Sequence, residues 1–206
     1  MVEQGDTGNL MEKKQKPQAF LVTIDGITLQ LSSEESLFSP HGADKGTLHM
    51  LEHVEFSKED ILLDLGCGYG LVGIYAAKKM SPDHVYMTDI DPCAIRSAQN
   101  NVIANQTEGI TLTCGYAYEA VTRSDFTRIL SNPPYHTDFS VAKAFIEKGF
   151  NRLAIGGKMY MVTKRKDWYK NKMIAVFGGV RIWEDDEYFV FMGEKRAPTY
   201  AKKGKK

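Results

Sequence analysis

The chain has 206 residues, of which 43% are hydrophobic and 25% charged, and its 26 basic and 26 acidic side chains give a formal net charge of zero. These values indicate an ordinary globular protein that buries a substantial core without disulfides. They exclude nucleic-acid binding by bulk charge alone, and no apolar run approaches the ~20 residues that a membrane span requires.

The cysteines carry a further expectation. Cys67, Cys93 and Cys114 form no CxxC pair and have no metal-ligand spacing. An odd number of cysteines without a signal peptide indicates a reducing compartment. We therefore expect a cytoplasmic protein that uses no metal.

Predicted strands and helices alternate along most of the chain. Residues 1–17 are polar and predict a flexible arm, whereas residues 20–24 and 27–31 flank Asp25-Gly26 and predict a β-hairpin. Further strands are predicted at 61–65, 84–88, 110–113, 127–131 and 158–163, the last following Gly156-Gly157, and helices at 44–53, 70–80, 92–105 and 141–153. Two last apolar runs, 179–183 and 188–192, flank an acidic turn.

This order predicts an α/β fold. Strands alternating with helices through short connections favour a mostly parallel sheet of seven strands with helices on both faces. The last two runs would form an antiparallel hairpin at one edge of that sheet, and the N-terminal hairpin is an addition to it. We expect one domain at residues 18–195 and a basic flexible tail at 196–206.

A glycine-rich loop follows the first strand of this sheet. Glycines at alternate positions let the backbone approach a ligand closely, and the next helix presents its N-terminal N–H groups there. Asp89 ends the following strand, where a carboxylate can accept hydrogen bonds from ribose hydroxyls. The loop reads Asp64-Leu65-Gly66-Cys67-Gly68-Tyr69-Gly70.

Three kinds of ligand bind glycine-rich loops of this general type, and the residues of the loop distinguish them. A dinucleotide fingerprint fails because Leu71 occupies the third glycine position, and a phosphate loop fails because no Gly-Lys-Ser/Thr follows. S-adenosylmethionine has no phosphate and carries an ammonium group, which suits the acid Asp64 just before the glycines. The pattern therefore favours S-adenosylmethionine.

A second candidate site follows the strand at 127–131. Two prolines fix the backbone and remove two N–H donors, so the carbonyls around them can point outward beside the Asn132 amide. An aromatic ring follows. Acceptors beside a stacking ring suit a planar amine, although the same residue types also form ordinary turns. The residues are Asn132-Pro133-Pro134-Tyr135.

Together these motifs resemble class I S-adenosylmethionine-dependent methyltransferases, and more narrowly the small methyltransferase domain family that includes the RsmC-like ribosomal RNA guanine-N2 methyltransferases. The resemblance covers about residues 18–195. It rests on Leu37-Phe38-Ser39, Asp44-Lys45-Gly46-Thr47, the glycine loop, Asp89-Ile90-Asp91 and Asn132-Pro133-Pro134-Tyr135-His136.

The resemblance implies a Rossmann-like fold and S-adenosylmethionine as cofactor, with S-adenosylhomocysteine as product. Asp64 would hold the methionine end, Asp89 the ribose and Ile90 the adenine. One departure concerns the adenine, because Tyr116 stands where the family usually has an acid after a glycine. The implied cofactor-binding residues are Asp64, Gly66, Cys67, Gly68, Gly70, Asp89, Ile90, Tyr116, Ala117 and Asn132.

The resemblance also implies a substrate and a mechanism. Asn132, Pro133 and Tyr135 would be catalytic, with two acceptors for the exocyclic N2 of a guanine and a ring that stacks on the base. The partner would be ribosomal RNA or a ribosomal particle, with no membrane and either a monomer or a dimer. The implied substrate-binding residues are Phe38, His136, Lys164 and Arg165. His136 is equally suited to cap the next helix, and Lys164 and Arg165 also suit the solvated start of a helix.

Three alternatives stay open on the sequence. The same four residues serve adenine-N6 methylation of RNA and glutamine-N5 methylation of a protein. The glutamine enzymes generally carry a separate helical N-terminal domain, against which the hairpin at 20–31 argues. A protein that binds S-adenosylmethionine and RNA without catalysis, as an assembly factor, is the alternative from another class.

Overall fold

The computed structural model describes residues 17–134 and 139–201. Its strands are β1 (Gln18–Ile24), β2 (Ile27–Ser33), β3 (Leu62–Leu65), β4 (Val85–Asp89), β5 (Thr111–Cys114), β6 (Phe126–Ser131), β7 (Leu153–Thr163), β8 (Arg181–Glu184) and β9 (Phe189–Glu194). Its helices are α1 (Lys45–Leu51), α2 (Leu71–Lys79), α3 (Pro92–Ala104), α4 (Phe139–Arg152) and α5 (Lys166–Phe177).

Seven strands form one sheet in the order β5-β4-β3-β6-β7-β9-β8. All neighbours from β5 to β7 pair in parallel, whereas β9 pairs antiparallel with both β7 and β8. The mostly parallel sheet with an antiparallel edge hairpin is therefore confirmed. The chain builds outward from β3 to β5 and then returns to the other side of β3 with β6. That reversal opens a crevice at the carboxyl ends of β3 and β6.

Alternate residues of the central strands face opposite layers of helices. In β3, Leu62 belongs to the core shared with α2, α3 and the N-terminal hairpin, whereas Leu63 and Leu65 belong to the core shared with α4 and α5. All three side chains are fully buried. Burial on both faces explains why the strand reads as a continuous apolar run rather than an alternating one.

The N-terminal hairpin forms as predicted, with Asp25 and Gly26 in its turn at φ angles of 49° and 75°. Two asparagines, one in α3 and one directly after it, attach the hairpin to the domain. Asn101 accepts from the Ser32 backbone N–H at 2.8 Å and donates to the Ser32 carbonyl at 2.8 Å. Asn105 makes the same pair of bonds with Gln30 at 3.0 and 2.7 Å. These side chains therefore substitute for a neighbouring strand along β2.

The structure differs from the predicted elements in two places. Strand β7 begins at Leu153 rather than at 158, so Gly156 and Gly157 lie within the strand and not before it. The backbone accommodates this with a φ of 82° at Gly156 and a register irregularity opposite β6. Helix α5 was not predicted as a helix, although its buried side chains follow helical spacing. They are Tyr169, Met173, Val176 and Phe177.

The other elements start and end within a few residues of their predicted bounds. The arm at 1–16 and residues 202–206 of the predicted tail lie outside the described residues, so the domain boundaries stay a prediction. Among the described helices, none is long and apolar enough to cross a membrane.

Candidate active site

A cavity of about 400 Å³ opens at the carboxyl ends of the central parallel strands. Nearly all the predicted site residues that the structure describes line it: Phe38, Asp64, Gly66, Cys67, Gly68, Asp89, Ile90, Tyr116, Ala117, Asn132 and Pro133. A volume of this size and a largely apolar lining with few polar groups are typical of small-molecule sites. Gly70 is the exception among the glycine-loop residues, because it begins α2 and packs against the core.

The glycine loop crosses the ends of β3 and β4. The N–H groups of Gly66 and Cys67 both donate to the Thr88 carbonyl, at 2.9 and 3.0 Å. Gly66, Gly68 and Gly70 have φ angles of 75°, 53° and 93°. A side chain would strain each of these conformations, which explains why glycine stands at alternate positions. The loop thereby exposes backbone to the cavity with little side-chain bulk in between.

Asp64 is a buried acid at the floor of the cavity, with only 3% of its surface exposed. Its Oδ2 accepts from the Gly73 N–H at 2.9 Å. The pKa of Asp64 is raised from 3.8 to about 7, mainly by burial; the Gly73 hydrogen bond opposes the rise, and the nearby Asp89 carboxylate adds a smaller contribution to it. A carboxyl group held in this way gains most from a cationic partner, since a positive charge offsets the cost of its ionisation.

Asp89 ends β4 with both carboxylate oxygens fixed by backbone. Oδ2 accepts from the Gly68 N–H at 2.9 Å, and Oδ1 accepts from the Asp91 N–H at 3.0 Å. Each oxygen retains a further lone pair for a ligand hydroxyl. Asp91 itself caps α3, because its side chain accepts from the Cys93 N–H at 2.7 Å.

Two side chains border the cavity beyond Asp89. Ile90 is 63% exposed, which is unusual for a large aliphatic residue, and Tyr116 is 37% exposed. The Lys148 ammonium lies 5.8 Å from the centroid of the Tyr116 ring. The Tyr116 ring therefore stands at the rim of the cavity, in the place where relatives are expected to have an acid.

Asn132 follows β6, and among the described residues the partners of its side chain all lie at the donor end. Its Nδ2 donates to Asp44 Oδ2 and to Thr47 Oγ1, both at 2.9 Å. Because a carboxylate only accepts, the orientation of the amide is fixed and the carbonyl oxygen Oδ1 is the end available to a ligand. Asn132 and the buried Pro133 both line the cavity. The site thus presents acceptors beside the acidic glycine loop.

Besides Gly70, four predicted site residues are not placed in the cavity. Tyr135 and His136 lie outside the described residues. Lys164 and Arg165, between β7 and α5, are absent from the described lining of the cavity. The Lys164 ammonium lies over the Tyr188 ring at 4.6 Å and pairs with Glu187 at 3.3 Å, so it is engaged with the C-terminal hairpin.

Sequence reasoning assigned no role to two cavity residues, Asp44 and Thr47. Both belong to the Asp-x-Gly-Thr motif, which was the available signal. It also missed Tyr69, whose hydroxyl donates to the Gly42 carbonyl at 3.1 Å and ties the glycine loop to the segment after Phe38. These contacts link parts of the chain that only the fold brings together.

One cluster of metal-type donors lies outside the cavity. Donor atoms of His49, Glu52 and His53 lie within 4.8 Å of one another near the end of α1. The His53 ring stacks on Trp183 with centroids 4.6 Å apart. The His49 ring packs edge-on against the His53 ring, with centroids 4.9 Å apart. Burial lowers the pKa of His53. These ring contacts pack the end of α1 against the C-terminal hairpin.

Comparison with known proteins gives consistent results. Residues 28–192 match the family described as the methyltransferase small domain. The chain is 29% identical over 185 residues to the ribosomal RNA small subunit methyltransferase C of Psychromonas ingrahamii, covering 88% of this chain and 52% of that protein. It is 28% identical to the ribosomal RNA large subunit methyltransferase G of Klebsiella pneumoniae, covering 85% and 49%.

A solved structure shows the same fold. The 16S rRNA guanine-N2 methyltransferase RsmC of T. thermophilus, in complex with AdoMet and guanosine, superposes with a TM-score of 0.81 at 27% identity. The alignment covers 87% of this chain and 51% of that one. This chain therefore spans about half the length of the relatives that it matches. On the extent of the family match and the shared fold, the chain belongs to the methyltransferase small domain family.

Proposed function

We propose that this protein transfers a methyl group from S-adenosylmethionine to the exocyclic N2 of a guanine in ribosomal RNA. The observation that carries the proposal is the fixed Asn132 amide. Its donor end is bound to Asp44 and Thr47, so its acceptor end serves a ligand in the cavity. An acceptor held in this way favours a substrate that donates N–H groups over one that presents oxygen or ring nitrogen lone pairs.

The residues of the cavity fit the cofactor. Asp64 is a buried acid whose pKa is raised by burial, and it would be relieved by the ammonium group at the methionine end. Asp89 would take the ribose hydroxyls, and the exposed face of Ile90 would be covered by the adenine. Tyr116 and Ala117 would border the adenine in place of the usual acid, with Gly66, Cys67, Gly68 and Gly70 shaping the loop.

S-adenosylmethionine, when bound, supplies a methyl group activated by its sulfonium. The exocyclic nitrogen of guanine is a poor nucleophile because its lone pair is delocalised into the ring. Asn132 Oδ1 and the Pro133 carbonyl would accept its two N–H groups, which favours pyramidal nitrogen and frees the lone pair. Positioning is then the main contribution of the chain, and no strong general base is needed because the amine becomes acidic as it is alkylated.

The names of the relatives support guanine in ribosomal RNA. Both curated relatives are ribosomal RNA methyltransferases, and the similar solved structure is a guanine-N2 methyltransferase that holds guanosine together with AdoMet. Their names describe proteins about twice the length matched here. A base would have to be unpaired or flipped to reach the cavity, with Tyr135 stacking on it and Phe38, His136, Lys164 and Arg165 contacting the RNA. An RNA partner and a cytoplasmic location belong to the same proposal.

The test is methyl transfer from labelled S-adenosylmethionine to three substrates: unmodified ribosomal RNA, small-subunit particles and large-subunit particles. The protein should label one of them, and Asn132→Ala should abolish labelling even when S-adenosylmethionine is saturating. A non-catalytic assembly factor would leave all three unlabelled. For such a factor, the Asn132→Ala protein would also correct ribosome assembly defects as fully as the wild type does.

A further inference from the structure

Asn132 is held by the first turn of α1. Both hydrogens of its side-chain amide have acceptors there, namely Asp44 Oδ2 and Thr47 Oγ1 at 2.9 Å each. The Thr47 hydroxyl in turn donates to Asp44 Oδ2 at 3.3 Å, so it must present its lone pairs to Asn132. Rotation of the amide by half a turn would place its oxygen against the Asp44 carboxylate. The two acceptors therefore permit only one orientation of the amide.

Asp44 is itself fixed from two directions. As the N-cap of α1, its Oδ2 accepts from the Thr47 backbone N–H at 2.9 Å. Its Oδ1 accepts from the Tyr188 hydroxyl at 3.2 Å. Tyr188 is 6% exposed and precedes β9, and its backbone N–H donates to Asp185 in the acidic turn. The C-terminal hairpin thus contributes to the same arrangement from 144 positions further along the chain.

Gly46 makes room for this contact. A Cβ atom at Gly46 would lie 2.4 Å from Cδ1 and 2.6 Å from Cε1 of Tyr188, far closer than two carbon atoms approach. Glycine therefore lets the aromatic ring pack closely against the start of α1 with its hydroxyl at Asp44. Each defined position of the Asp-x-Gly-Thr motif then has a physical reason: a cap and acceptor, a space for the ring, and a second acceptor.

We propose that Asp44, Thr47 and Tyr188 are positioning residues that act through Asn132. They hold the amide with Oδ1 toward the substrate, and without them the amide would also sample the orientation that points N–H donors at the substrate amine. The inference rests on the proposed function, since it assigns to the three residues the orientation of an acceptor for that amine. None of them needs to touch the cofactor for this role.

Kinetics of methyl transfer test the proposal. Asp44→Ala and Thr47→Val should each lower kcat by about 10- to 100-fold, since each removes an acceptor from a hydrogen-bonded amide. The dissociation constant of S-adenosylmethionine should change by less than about twofold. Asp44→Asn and Thr47→Ser should restore most of the lost kcat, because both keep an oxygen that can accept from Asn132.

Tyr188→Phe keeps the ring and removes only the hydroxyl, and it should lower kcat by about two- to fivefold. Its matched control is Tyr75→Phe, which removes a hydroxyl bonded to Asp25 at 2.7 Å in a part of α2 outside the cavity lining. That control should leave kcat unchanged. The proposal is overturned if Asp44→Asn is as impaired as Asp44→Ala, or if losses of kcat follow losses of melting temperature across the set.

A second readout needs no substrate. Nuclear magnetic resonance of the Asn132 side-chain NH₂ should show two protons protected from exchange in the wild type, and one of them should become exposed in Thr47→Val. Unprotected protons in the wild type would refute the positioning role whatever the activity. Protected protons in a protein that methylates none of the substrates would instead refute the proposed function and leave the contact standing.

Discussion

Replacing Asp64 by asparagine should make the cofactor-free protein more stable at alkaline pH. The same change should lower the affinity for S-adenosylmethionine. The reason is the pKa of Asp64, which burial raises from 3.8 to about 7. The folded state keeps a proton on this carboxyl over a range where the unfolded chain has lost it. The free energy of unfolding of the wild type therefore falls as pH rises from about 4 to 7, by up to about 1.4 kcal/mol per pH unit. Above pH 7 this contribution does not return.

The magnitude follows from the two pKa values. Between pH 5 and pH 8 the group removes about 2–3 kcal/mol from the free energy of unfolding of the wild type. An asparagine side chain at this position cannot titrate, and its oxygen can still accept from the Gly73 N–H. The stability of Asp64→Asn relative to wild type should therefore rise by that amount from pH 5 to pH 8, measured by urea denaturation without cofactor. A difference that stays constant with pH would refute the raised pKa.

Two further substitutions test the framework of the site. Asn101→Leu should lower the free energy of unfolding by about 3 kcal/mol, because it leaves the partly buried N–H and carbonyl of Ser32 in β2 unpaired, whereas the exposed Asn100→Leu on the same helix should change it by less than about 0.5 kcal/mol. Gly46→Ala should lower it by about 1–3 kcal/mol through the clash with Tyr188, and Gly42→Ala, where a Cβ meets nothing within 4 Å, should be close to neutral. Equal effects in either matched pair, measured by urea denaturation, would contradict the contacts assigned.

The sequence predicted the parts of the fold that local chemistry determines. The Asp25-Gly26 turn, the apolar strand β3 and the cap and proline that begin α3 all lie where residue type alone indicates. Helix α5 was missed because its helical spacing of buried residues is interrupted by polar ones. The start of β7 was placed too late because Gly156-Gly157 reads as a turn, whereas in the structure it lies within a paired strand.

The candidate site was predictable to the extent that it follows strand ends. Asp64, Asp89 and Asn132 each lie near or just beyond the carboxyl end of a parallel strand, so their meeting at one edge of the sheet follows from the topology. The contacts that orient these side chains do not follow from the strand order. Asp44 lies 88 positions from Asn132 and pairs with it only because α1 packs against the sheet. Tyr188 lies 144 positions from Asp44, the residue to which its hydroxyl donates. No spacing rule links such residues before the fold is known.

Identifying the methylated nucleoside tests whether the protein methylates N2 of guanine in ribosomal RNA. Labelled ribosomal RNA from the transfer reaction would be digested to nucleosides and separated alongside standards. We expect the label in N2-methylguanosine. Label in N6-methyladenosine, or in methylglutamine of a protein substrate with none in RNA, would contradict this expectation.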